Sequence, residues 1–79
     1  MITVRYFAGA RAAAGTTEEK VSARTLDELV RLLAEAHGPI LGRVLGCASF
    51  LVDEVTWHDR HAELPDDAGV DVLPPFAGG

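Results

Sequence analysis

Residues Thr25 to His37 read TLDELVRLLAEAH, a stretch that is helical by its own signals. Thr25 is placed to cap the first turn, and Glu28 three residues later completes a capping box. Asp27 and Glu28 put negative charge where the helix dipole favours it. Leu26, Leu29, Val30, Leu33 and Ala36 fall on one stripe at helical spacing. Gly38 and Pro39 stop the helix, as a left-handed cap followed by a residue that cannot extend it. Such a helix must bury its stripe against another element, and the flanking sequence supplies one.

Before the helix, Ile2, Val4 and Tyr6 alternate with Thr3, Arg5 and Phe7 as in a strand. Ala8 to Gly15 is Ala-rich and bounded by glycines, and reads as a loop with one helical turn. Thr17 to Ala23 reads as a second strand returning antiparallel to the first. After the helix, Ile40 to Gly46 reads as a short helical turn or loop and Ala48 to Val52 as a strand. Asp53-Glu54 reads as a turn and Val55 to His58 as a short strand or extended arm. Asp59 to Asp67 is a polar loop punctuated by Leu64 and Pro65, closed by Gly69, and Val70 to Leu73 is the last strand. The order is β-β-α-β-(β)-β, with the apolar first and last strands together in the centre. That predicts an α+β fold of the β-grasp type: a mixed sheet of four to five strands covered on one face by one main helix.

The 79 residues suffice for one domain, expected over residues 1–75, with 76–79 as a flexible tail. A self-contained enzyme with an enclosed site is hard to build at this size. Seven Lys and Arg against twelve Asp and Glu give a net charge of −5. The basic residues are scattered, which argues against a nucleic-acid partner. The single cysteine, Cys47, excludes an internal disulfide. Met1 leads straight into a strand-like run without a signal-like segment, and no apolar stretch approaches membrane-spanning length; the expectation is a cytoplasmic protein with no membrane partner.

The chemistry points to the tail, Leu73-Pro74-Pro75-Phe76-Ala77-Gly78-Gly79. Pro74 and Pro75 have no amide hydrogen, so the ladder cannot continue through them, and they stiffen the exit. Gly78 and Gly79 carry no side chain, so their backbone can thread a channel that a β-carbon would block. A carboxylate at Gly79 is a poor electrophile until ATP converts it to an adenylate. A persulfide sulfur can then displace the adenylate, leaving a thiocarboxylate. In that scheme the partner's pocket supplies positioning, and no side chain of this chain performs acid–base work.

The ending LPPFAGG resembles the Leu-Pro-Pro-x-x-Gly-Gly signature of the MoaD/ThiS sulfur carriers, ubiquitin-like proteins of β-grasp fold. The opening VRYFAGARAAAG is similar to that of the MoaD branch, with Phe7, Ala8, Arg11 and Gly15 at the matching positions. The resemblance spans the chain and is specific at its two ends. It implies an E1-like adenylating enzyme that uses ATP, a sulfur donor protein and a molybdopterin synthase large subunit forming a heterotetramer. It also implies that the chain binds no cofactor and is not catalytic alone. Carriers for thiamin, cysteine or another sulfur metabolite share the tail chemistry, as does a ubiquitin-like modifier; a plain interaction module is the remaining alternative. One departure lies before the last strand, where the family's Leu-x-Asp-Gly-Asp-Glu-Val is replaced by Leu64-Pro65-Asp66-Asp67-Ala68-Gly69-Val70.

Besides Gly78 and Gly79, the candidate contact residues are Phe7, Arg11, Pro74, Pro75, Phe76 and Ala77. Aromatic side chains are favoured interface anchors. For Phe7 core packing weighs evenly against a partner contact, and for Phe76 the partner contact is favoured. Arg11 reads equally as a solvated side chain or as a partner for a carboxylate. Cys47 reads as a small buried hydrophobe rather than a reactive thiol, and Trp57 as half-buried packing. His58-Asp59-Arg60-His61 lacks the ligand set of a metal site, so no metal is expected.

Overall fold

In Ile2–Tyr6 (β1) the alternation sends Ile2, Val4 and Tyr6 into the core and leaves Arg5 exposed. The computed structural model describes residues 1–75. Along them follow Ala8–Ala14 (α1), Glu18–Val21 (β2), Leu26–His37 (α2), Pro39–Cys47 (α3), Ser49–Val52 (β3), Val55–Thr56 (β4) and Gly69–Leu73 (β5). The strands form one sheet in the order β2-β1-β5-β3-β4. The central pair, β1 and β5, is parallel, with Val4 opposite Val70 and Tyr6 opposite Val72. β2 pairs antiparallel with β1, and β3 antiparallel with β5, where Ser49 meets Leu73. The mixed sheet of the expected fold is therefore present, with its first and last strands central.

The main helix starts as its sequence dictates. Glu28 N donates to Thr25 Oγ1 at 3.1 Å, and Glu28 Oε1 accepts from Arg24 N at 2.7 Å, one residue ahead of the usual capping-box partner. Leu26, Leu29 and Leu33 are fully buried, and Val30 packs partly. Ala36 is a correction: it is exposed, and Ala34 faces the core instead. Burying each large aliphatic side chain contributes about 1.5–3 kcal/mol, so this stripe fixes how α2 lies on the sheet.

The helical layer is larger than the sequence suggests. Residues 40–46 are not a turn or loop but most of α3, which starts with Pro39 in its first turn and buries Leu41 and Leu45. Proline suits that place because the first amide of a helix has no intrahelical acceptor to lose. Gly38 joins the two helices with φ +96° and ψ −176°, so it is not the left-handed helical cap expected, though it needs positive φ all the same. Ala8–Ala14 is likewise a helix rather than a loop, buried through Ala10 and ended by Gly15 at φ +76°, whose N–H donates to Arg11 O at 2.9 Å. β4 is shorter than expected and stops at Thr56. The Asp53-Glu54 turn is present, with both residues at positive φ (49° and 71°), as a tight two-residue hairpin demands.

Candidate functional site

β1 and β5 run parallel, so their C-terminal ends reach the same edge of the domain. At that edge Phe7 N donates to Val72 O at 3.3 Å, and Leu73 is the last residue of β5. Pro74, half-buried, follows, then Pro75, exposed. With no N–H at either, the ladder stops and the backbone leaves the sheet. Phe76, Ala77, Gly78 and Gly79, on which the tail chemistry was placed, lie outside the described residues.

Phe7 and Arg11 both come to this edge through one sharp turn. Phe7 has extended backbone and serves as the N-cap of α1, and the residue is 41% exposed, so it is not a core residue. Ala8 then takes φ +48°, a left-handed conformation that costs an alanine about 1 kcal/mol. That turn folds α1 back beside the exit. Arg11 is exposed on α1, and no ion pair holds it among the described residues. Phe7, Pro74 and Pro75 thus gather around the exit, with Arg11 on the adjoining helix.

Cys47 is a correction. It is exposed at the end of α3, with Sγ donating to Arg43 O at 3.3 Å, because α3 ends two residues before the sheet and leaves the side chain outside. Trp57 is half-buried as expected. The described residues include no group of three His, Cys, Asp or Glu side chains able to hold a metal ion.

Electrostatics stiffen the centre of the sheet. Arg5 Nε donates to the nearly buried Asp71 Oδ1 at 2.7 Å, joining the two central strands, and this bond and charge raise the Arg5 pKa. On the other face Glu19 accepts hydrogen bonds from the Tyr6 hydroxyl, at 2.6 Å, and from His37 Nε2. Burial, reinforced by the Glu19 bond, pushes the Tyr6 pKa well above the ordinary phenol value. Nothing in the local sequence pairs residue 19 with residue 37, so these contacts are visible only in the fold. The unusual turn before β5 is resolved too: Asp67 takes φ +55° at the motif's glycine position, a conformation aspartate tolerates better than most residues.

A five-stranded mixed sheet with its helices on one face and its first and last strands paired in the centre defines a ubiquitin-like β-grasp domain. The chain belongs to the ThiS family, whose model matches residues 4–79. Solved structures agree on the fold. Small archaeal modifier protein 1 from Methanosarcina acetivorans is similar with a TM-score of 0.85 and 24% identity, over 99% of this chain and 95% of that one. A chain in the complex of subunits 1 and 2 of molybdopterin-converting factor from Helicobacter pylori is similar at 0.74 and 24%, over 99% and 97%. A chain in the BexX/CysO complex of Amycolatopsis orientalis is similar at 0.77 and 20%, over 100% of both. No curated protein matches by sequence. No helix among the described residues is long and apolar enough to cross a membrane.

Proposed function

We propose that this chain is a sulfur carrier acting through the Gly79 carboxylate, and that it serves molybdopterin synthesis as the small subunit of a synthase. The observation that carries the reading is the exit: a central strand ends at Leu73, two prolines end its ladder, and the family match runs on through Gly78 and Gly79. An E1-like enzyme would join the carboxylate to the α-phosphate of ATP with loss of pyrophosphate. A persulfide on a sulfur donor protein would then attack the acyl carbon and expel AMP, giving an acyl disulfide. Reduction of its S–S bond by a thiol would release the thiocarboxylate. Phe7, Arg11, Pro74, Pro75, Phe76 and Ala77 would seat the tail on each partner in turn, and Gly78 would keep the thread thin.

The molybdopterin assignment is supported by the MoaD-like opening and by the likeness to the Helicobacter pylori complex of subunits 1 and 2. A second reading, attachment to lysines of other proteins, draws on the likeness to small archaeal modifier protein 1. The two share activation and differ in product.

Intact mass after incubation with ATP, an E1-like activator and a sulfur donor tests the carrier chemistry. Oxygen-to-sulfur exchange confined to the C-terminal peptide is expected. A variant extended by one residue beyond Gly79 should show no exchange. Sulfur at the original glycine of that untrimmed variant would sink the mechanism. Co-purification with a molybdopterin synthase large subunit tests the pathway, whereas high-mass lysine conjugates without transferable sulfur select the modifier.

A further inference from the structure

A cleft of about 210 Å³ opens where the starts of α2 and β3 meet the end of α3 and the segment after β4. Leu26, Leu45 and Phe50 form its apolar wall, and Trp57 and Arg60 supply its polar one. Trp57 Nε1 and Arg60 Nε are both buried, and neither has a hydrogen-bond partner among the described residues. A buried donor left without an acceptor is costly, so an acceptor that reaches both is strongly favoured.

The donors are on anchored main chain. Trp57 N donates to Phe50 O at 3.0 Å, and Arg60 O accepts from Asp27 N at 2.9 Å. Asp59 Oδ1 accepts from His61 N and Ala62 N, fixing the turn that contains Arg60. The Arg60 guanidinium lies 5.8 Å from the Phe50 ring centroid, on the apolar wall. Although the chain is acidic overall, no aspartate or glutamate lines the cleft. Gly46 and Ala48 keep the opposite rim small.

We propose that this cleft receives a carboxylate carried on a short apolar stem. Its oxygens supply the acceptors that the two N–H donors lack, its charge meets the guanidinium, and its stem rests on Leu26, Leu45 and Phe50. The cleft is smaller than a drug-sized pocket, which limits the guest to a few carbons beyond the carboxylate. Entry parts the Trp57 and Arg60 side chains, which sit on a segment with no helix or strand of its own. The site is independent of the tail chemistry.

Trp57 is the only tryptophan, so its indole N–H gives a single resonance in a nitrogen–proton correlation spectrum of the full chain. Titration with butyrate is expected to move that resonance saturably. Sodium chloride at matched ionic strength and butyramide should not. Blocked glutamate (N-acetylglutamate amide with a free side-chain carboxylate) forms the second arm: tighter saturation by it assigns the guest to a partner protein's acidic side chain, tighter saturation by butyrate to a free small acid. Arg60→Gln should weaken binding at least about tenfold through loss of a charge-assisted bond. Gly46→Leu should do the same by crowding the rim, since Gly46 lines the cleft and a Cβ there is accommodated without a clash. It leaves both donors in place and carries the test where Arg60→Gln fails to fold. No saturable shift with either acid, an equal shift with butyramide or salt, or undiminished binding in a folded Gly46→Leu variant overturns the proposal.

Discussion

The two ends of the central β1–β5 pair are built in opposite ways. At the end where both strands begin, the chain is tied down repeatedly. Thr3 N donates to Ala68 O, Leu64 N to Arg24 O, Thr25 bridges to Glu63, and Leu64 and Ala68 are buried. At the end where both strands finish, Phe7 is exposed and two prolines replace the ladder. One end is a base and the other an outlet. The difference shows that stability and presentation can occupy separate poles of a very small domain.

Substitutions can break that contrast, beginning with the base. Leu64→Ala should lower stability by about 2–4 kcal/mol, because a buried side chain is lost from the loop that closes it. Urea unfolding measures this, and a loss no larger than that of an exposed site would remove the base from the account. Next is the phenol of Tyr6, the only tyrosine. Its folded pKa is raised, so the stability it contributes is complete below the value of about 10 for an unfolded tyrosine and is lost as pH rises further. Phenolate absorbance should therefore appear only with unfolding, and Tyr6→Phe should flatten the alkaline decline. Ionisation near pH 10 with the fold intact would contradict the buried Glu19 bond.

Smaller effects sharpen the picture. Thr25→Ala should cost about 1 kcal/mol through loss of the α2 cap. Asp67→Gly should stabilise by a few tenths to about 1 kcal/mol, since it relieves a left-handed residue. The ion pair it removes, from the Met1 amino group to Asp67 at 3.0 Å, is exposed on both sides and contributes little. Phe7→Ala, at the outlet, should change stability least, within about 1 kcal/mol, while reducing sulfur loading of the tail. Equal losses of stability from Phe7→Ala and Leu64→Ala would erase the distinction between the poles.

What was legible follows from how each element is specified. α2 carries its own instructions in Thr25, Glu28 and the leucine stripe, and the alternation in β1 is equally local. α3 carries few. It has glycines at 42 and 46 and no side-chain cap, and it is held by burying Leu41 and Leu45, while a Cβ added at Gly42 would come 3.5 Å from the Ala34 Cβ, so the glycine keeps α3 close to α2. That support is tertiary, and Pro39 disguises it by reading as a stop when it is a start. α1 was hidden by its flanking glycines, although alanine is the strongest helix former. At the site, the proline exit and Phe7 were readable because they sit at strand ends. The exposure of Cys47 and the donors of Trp57 and Arg60 depend on where α3 and the loop after β4 come to rest, which no local pattern encodes.

Arg5 and Asp71 stand 66 residues apart, yet they clasp the two middle strands. Pairing so distant in the chain forms late and slowly compared with local helix contacts. The sheet has no centre until β5, the last of its strands in chain order, has been made and set beside β1. A half-made or misfolded molecule therefore lacks the completed edge at which Leu73 passes into Pro74 and Pro75.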